Sequence, residues 1–250
     1  MLYSIHGVNG LGIKKLTSGV YEVKDPTVSK VLGQKYPKTE ITKNSGTKER
    51  ILLASASLFA KNGYFGVSVK DIANVVGIKP ASLYNHYESK EALWKSVLER
   101  IQELYLMFFN RLEALRPYTT TLTDVIDNLF YELKEAAQMF TFYGIALVQS
   151  EQYHSDMAAD MFHGLLLDYS TNVIKKQFDE CIENGYSEPF DTQTVASMVI
   201  HSFLILSNVR VHEDMGFDVN ENVSERLDSI RELVLNMIEG QVAIKNGANM

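Results

Sequence analysis

The sequence predicts an all-α fold, in which an N-terminal three-helix helix-turn-helix domain is joined by a long fourth helix to a C-terminal helical domain. Three observations predict it. From Thr47 onward apolar residues recur at three- and four-residue spacing. The breaks between these stretches hold glycine, proline or a polar residue suited to cap a helix. Residues 68–93 set two short helical patterns around Gly77 and then open a third.

Residues 1–44 lack this pattern. Five glycines occur by Gly33 among scattered lysines, and helical periodicity is weak. Composition predicts a flexible extension. Tyr3 to Val8 and Gly19 to Val23 are candidate short strands, with Asn9-Gly10 as a turn. The functional alternative is a basic arm that reaches a minor groove or phosphates through Lys35, Lys38 and Lys43.

A DNA-binding domain is expected over 45–90, starting with a helix over about 47–62. Ser68 is a good N-cap for the second helix, because its hydroxyl can take an orphan amide of the first turn. Val69, Ile72, Ala73 and Val76 then form one apolar stripe. Gly77 follows the last stripe residue, where a left-handed C′ position suits glycine. Pro80 stands where a third helix, about 80–86, would begin, the one place a helix accepts proline. Leu83 and Tyr84 fold that helix back on the second, leaving Lys79, Ala81, Ser82, Asn85 and His86 outward. Short, polar or basic residues at the start of an exposed helix suit a major groove.

The run Asp71-Ile72-Ala73…Gly77-Ile78…Ser82-Leu83-Tyr84-Asn85-His86-Tyr87…Ser89-Lys90-Glu91…Leu93 resembles the DNA-binding signature of the tetracycline-repressor (TetR) family. Arg50-Ile51-Leu52-Leu53-Ala54…Leu58-Phe59-Ala60…Gly63-Tyr64 is similar to that family's first helix. Ala81 stands where the family often has glycine, and the long N-terminal extension is also a departure. The resemblance implies a cytoplasmic regulator of transcription, commonly a repressor, whose partner is double-stranded DNA.

Candidate DNA contacts follow residue by residue. Lys79 and Ser82 front the third helix, where Lys79 could donate to guanine O6 or N7. Pro80 and Ala81 are small apolar surfaces for a thymine methyl. The resemblance places Tyr84 and His86 near phosphates. Lys90, at the positive end of the fourth helix, reads as a mobile phosphate clamp. Thr47, Lys48 and Ser68 are backbone-contact candidates. Charge agrees with this division. Residues 1–90 carry 13 Lys+Arg against 6 Asp+Glu, whereas residues 91–250 carry 11 against 25, so a basic front precedes an acidic body.

The fourth helix starts at the Ser89 N-cap, buries a stripe from Leu93 to Leu115 and stops at Pro117. The body, 91–250, continues with helices expected at 121–138, 140–151, 155–184, 191–213 and 221–240. Asp191 and Ser224 are candidate N-caps. The last two helices are apolar around much of their circumference. Val195, Met198, Val199, Phe203, Leu206 and Val209 line one, and Leu227, Ile230, Leu233, Val234, Met237 and Ile238 the other. Pattern alone allows an intramolecular core. The resemblance implies a homodimer through these two helices, reading a near-palindromic operator.

The resemblance also implies a small-molecule effector held in the body, whose binding moves the fourth helix and releases DNA. Tyr105, Phe108, Phe130, Phe142, Tyr143, Met161, Phe162 and Tyr169 are candidate pocket residues, and they equally suit an ordinary core. A body that binds a protein partner is the alternative. Asp156, Asp160 and His163 recur at i, i+4 and i+7 with His154 just before them, but acids in a first turn are expected from the helix dipole, so no metal or other cofactor is assigned. No glycine-rich phosphate loop, Gly-x-Ser-x-Gly or His-Glu-x-x-His occurs, so no enzyme is indicated. The single cysteine, Cys181, precludes an internal disulfide and fits a reducing compartment. Val195 to Val211 is interrupted by polar residues and reads as a buried helix, and no membrane segment is expected.

Overall fold

The computed structural model describes residues 13–15, 21–23, 46–137, 140–218 and 222–247. β1 (Ile13–Lys15) pairs antiparallel with β2 (Tyr21–Val23), with Ile13 opposite Val23. The expected Gly19–Val23 strand thus survives as β2, but its partner is 13–15. Tyr3 to Val8, Asn9-Gly10, Lys35, Lys38 and Lys43 lie outside the described residues.

From Thr47 onward the described chain is helical. The head holds α1 (Thr47–Asn62), α2 (Val69–Val76) and α3 (Pro80–Leu83). A reciprocal capping box opens α2: the Asp71 amide donates to Ser68 Oγ at 3.2 Å, and the Ser68 amide donates to Asp71 Oδ2 at 2.8 Å. Gly77 closes it at φ 76°, a left-handed conformation that costs glycine little, and its amide donates to the Ala73 carbonyl at 2.9 Å. The Arg50 guanidinium donates to the Val76 carbonyl, so α1 also ties down the end of α2.

α3 ends at Leu83, short of the expected 86. Residues 84–86 continue as a turn, with the His86 amide on the Leu83 carbonyl at 2.9 Å. The chain must leave the helix there to bury Tyr87 and to reach the extended backbone of Ser89.

α4 (Lys90–Leu115) has 26 residues, about 40 Å at ~1.5 Å per residue. Ser89 Oγ caps it, accepting from the Ala92 amide at 3.0 Å. It ends in a 3₁₀ turn (Arg116–Tyr118) at Pro117. Its first turns belong to the head core: Trp94 meets Phe59 edge-on at 5.6 Å and Tyr64 at 5.3 Å between ring centroids.

The body adds α5 (Leu122–Ala137), α6 (Phe140–Glu151), α7 (Asp156–Asp160), α8 (Ser170–Glu183), α9 (Thr192–Asp214) and α10 (Val223–Gly247). Asp191 caps α9 as expected, its carboxylate accepting from the Thr194 amide at 3.0 Å. Ser224 does not cap α10: the helix starts at Val223, and Asn222 Oδ1 accepts from the Ser224 and Glu225 amides. The helix expected over 155–184 is continuous, but Met161–Tyr169, between α7 and α8, winds as a π-helix. That wider winding shifts the faces of everything after it relative to a 3.6-residue period. At its end the Ser170 hydroxyl bonds the Leu165 carbonyl at 2.8 Å, five residues back.

α9 is long and apolar enough to cross a bilayer by length and composition, yet 59% of that stretch is buried, packed on α6, α8 and α10. It is a core helix. A bidentate ion pair joins α4 to α5, with Arg111 Nε 2.6 Å and Nη2 3.0 Å from the carboxylate of fully buried Glu132. α4 and α6 cross at Gly144, where a Cβ would lie 2.7 Å from Ile101 Cγ1, so only glycine allows this approach.

Candidate nucleic-acid interface and its link to the body

The outer surface of α3 is built from its cap outward. Lys79, Pro80 and Ala81 are exposed and Ser82 is half-buried, whereas Tyr84, expected to fold the helix back beside Leu83, is 52% exposed, because the helix ends at Leu83 and the chain turns there. Leu83 is fully buried and fixes which face turns out. His86 is half-buried in the turn. Lys48 on α1 is exposed, with its ammonium 5.4 Å from the Tyr87 ring centroid. Thr47 is half-buried at the first position of α1. Ser68 is exposed, but its hydroxyl and amide are already committed to the capping box.

Lys90 differs from the mobile clamp expected of it. Its Nζ donates to the Tyr64 carbonyl at 2.5 Å and lies 4.1 Å from the Tyr64 ring centroid. Partial burial holds its pKa below the ordinary lysine value, and the nearby Glu151 carboxylate opposes that shift. The ammonium is anchored because the loop after α1 folds its carbonyl and aromatic ring over the start of α4.

The same loop carries the link to the body. Glu151, at the end of α6, is buried, and its Oε1 accepts from the Tyr64 amide at 2.9 Å. Lys90 and Glu151 therefore hold the carbonyl and the amide of one residue. Sequence reasoning missed Glu151. Its only local signal is an acid following the apolar run Ile145–Val148, and nothing in the chain pairs it with position 64.

The expected pocket residues are dispersed through the core. Tyr105, Phe108, Phe130 and Met161 are buried. The Tyr105 hydroxyl is hydrogen-bonded to Ser170 Oγ at 3.2 Å, and burial pushes its pKa far above the ordinary range. Phe109, between Tyr105 and Phe108 in ring contact, meets Tyr169 edge-on at 5.3 Å. Tyr143 and Phe162 are half-buried, Tyr169 is 42% exposed, and the Phe142 side chain is outside the described residues. Asp156, Asp160, His154 and His163 are exposed, and among the described residues no group of three possible ligands converges for a metal.

A cleft of about 380 Å³ opens instead at the far end of α4, lined by Arg116, Pro117, Val125, Gln177, Glu180 and Tyr186. None of these was expected from sequence. They come from the 3₁₀ turn, α5, α8 and the segment after α8, and no spacing in the chain brings them together.

Residues 51–97 match the family model described as bacterial regulatory proteins, tetR family. Over 68 residues the chain is 38% identical to the HTH-type transcriptional regulator UidR of Escherichia coli, covering 27% of this chain and 35% of that protein. Over 64 residues it is 36% identical to the biofilm operon icaADBC HTH-type negative transcriptional regulator IcaR of Staphylococcus epidermidis, covering 26% and 35%. The match thus spans about a third of these curated relatives. The fold is similar to that of the fatty acid degradation regulator FadR from Bacillus halodurans, at a TM-score of 0.55 and 19% identity over 78% of this chain and 97% of that one. It is likewise similar to the TetR family transcriptional regulator PfmR from Thermus thermophilus, at a TM-score of 0.55 and 20% identity over 75% and 97%.

Proposed function

Through residues 51–97 the chain belongs to the tetR family of bacterial regulatory proteins, and from that premise we propose that it is a sequence-specific DNA-binding repressor that works as a homodimer in the cytoplasm and is released from DNA by a small molecule held in its body. The observation that carries the reading is the outward face of α3: Lys79, Pro80, Ala81 and Tyr84 exposed on a helix whose inward face, at Leu83, is sealed. A cation, two small apolar surfaces and a phenol at the edge of a short helix suit base edges and phosphates of a major groove.

Dimerisation draws support from what one chain leaves uncovered. Val195, Val199, Phe203, Leu206 and Val209 of α9 are buried, but Met198 is 39% and Ile205 68% exposed, seven residues apart on one face. On α10, Leu227, Val234 and Ile238 are buried, while Leu233 is 57% and Ile244 74% exposed. Two neighbouring helices with uncovered apolar strips suit the four-helix contact of a two-fold dimer.

Release would work through α4, which is shared between the two parts. Its start is locked to the head by Trp94 and Lys90, and its middle crosses α6 at Gly144. A ligand that binds one body arrangement better than the other would shift α6 and α4, and Glu151 would carry the shift to the Tyr64 loop.

The test is footprinting of the purified protein on DNA upstream of its own gene, with a salt titration. A protected near-palindrome is expected. Lys79→Ala should weaken binding and flatten the salt slope by roughly 0.9 if Lys79 meets one phosphate. Protection of a single half-site with a one-chain mass in sedimentation would remove the dimer.

A further inference from the structure

The cleft at the far end of α4 holds an unresolved polar group. Gln177 is 8% exposed and lines the cleft, and its Nε2, shielded from solvent as the side chain stands, has no hydrogen-bond partner among the described residues. A buried amide nitrogen without an acceptor is costly to keep, and a site built to receive an acceptor is one reason to keep it. Pro117, Val125 and the half-exposed Tyr186 supply apolar wall around it.

The charges say what kind of acceptor fits. Among the described residues lining the cleft Arg116 is the cation, and it is already paired with Glu180 at 3.0 Å and Glu113 at 3.2 Å. Two carboxylates thus answer one guanidinium. The field at Cys181, also on the cleft wall, has the same sign: burial pushes its thiol up to about 11, and Glu180 and Asp124 add to the shift. An anionic ligand would enter against this field. A cationic one would satisfy the carboxylates but leave the Gln177 donor unmet.

We propose that this cleft is the effector site of the body, and that it takes an uncharged amphiphile toward which the Gln177 side chain turns, its Nε2 donating to the ligand's carbonyl oxygen, while the apolar part lies against Pro117, Val125 and Tyr186. The inference rests on the ligand-responsive reading above. It moves the effector away from the Tyr105–Phe108 cluster, where the rings pack on one another and the Tyr105 hydroxyl already has a partner.

The experiment is isothermal titration of the full chain, without DNA, with three probes of one chain length: N,N-dimethyloctanamide, octanoate and octyltrimethylammonium. The amide should bind about tenfold more tightly than either ion. Gln177→Leu should lose about that factor for the amide alone, since one hydrogen bond separates the variants. Gln177→Leu removes an unpartnered polar group, so its Tm should not fall, which guards against reading misfolding as lost binding. Tyr186→Ala, at a 43% exposed position, should weaken the amide without unfolding the chain. Equal affinities for the three probes, tightest binding of octanoate, no binding at all, or amide binding untouched by Gln177→Leu would overturn the proposal. Because the readout contains no DNA, each of these outcomes leaves the footprinting result of the DNA-binding reading standing by itself.

Discussion

The head closes its helices with residues a few positions away: Asp71 with Ser68, Gly77 with Ala73, Ala92 with Ser89. The body is tied by charges drawn from far along the chain: Arg111 to Glu132, Arg116 to Glu180, Arg231 to Asp127. Both are all-helical and both bury apolar cores. They differ in where their polar groups find partners. With its helix ends closed locally and α2 tied to α1 by Arg50, the head can be carried as one piece, and the Glu151–Tyr64 hydrogen bond is its tie to the body. A body held by long-range pairs, with a π-helical stretch and an unsatisfied Gln177, has contacts that a ligand can replace. The division matches the proposed roles of reading DNA and sensing a molecule.

Breaking one long-range tie should have the largest effect. Glu132→Ala leaves the Arg111 guanidinium buried at the α4–α5 contact without the carboxylate it grips. A loss of roughly 3–5 kcal/mol is expected in urea unfolding. A loss below about 1 kcal/mol would mean that the body does not depend on this pair. Next comes the crossing of α4 and α6. Gly144→Ala drives a methyl into Ile101, and overpacking of this kind costs about 1–3 kcal/mol. Operator affinity should change with it, because α4 connects that crossing to the head, and stability loss with unaltered DNA affinity would deny α4 its role as lever.

Local closure should be weaker, residue for residue. Ser68→Ala removes one side of the capping box and should cost about 1 kcal/mol. A cost near that of Glu132→Ala would erase the contrast between the two regions. The smallest effect concerns alkaline stability of the head. Burial, aided by Glu49, raises Tyr87 from 10.0 to about 12. A raised folded pKa contributes stability that is complete below the unfolded value and is lost as pH climbs through the folded one. The head should therefore weaken between pH 10 and about 12, and Tyr87→Phe should flatten the fall in a pH series of thermal unfolding. An identical profile in the variant would assign the fall to other groups.

The head was legible in the sequence because its signals are short-range. Ser68, Gly77 and Ser89 each act on a backbone group within four positions, and Pro80 marks a first helical turn by its own fixed φ, so the helix starts and the end of α2 lie within one residue of where the sequence puts them. Lys90 shows the limit: its place at the start of α4 was readable, but its ammonium is held by Tyr64, which only the fold brings near. The expected pocket was composed by residue type, and type cannot separate a ring that packs from a ring that waits. Tyr105 packs because Ser170 arrives beside it, at the end of the π-helical stretch.

The helical class, the helix-turn-helix and the basic front with an acidic back were readable in the chain alone, since each depends on composition or on near neighbours, whereas Tyr84, expected inward, turned out exposed. The tertiary structure decided the Glu151 link, the Gly144 crossing and the cleft. Arg116, Val125, Gln177 and Tyr186 become a site only because the 3₁₀ turn, α5 and α8 meet, and which helix faces meet is set by packing over the whole body.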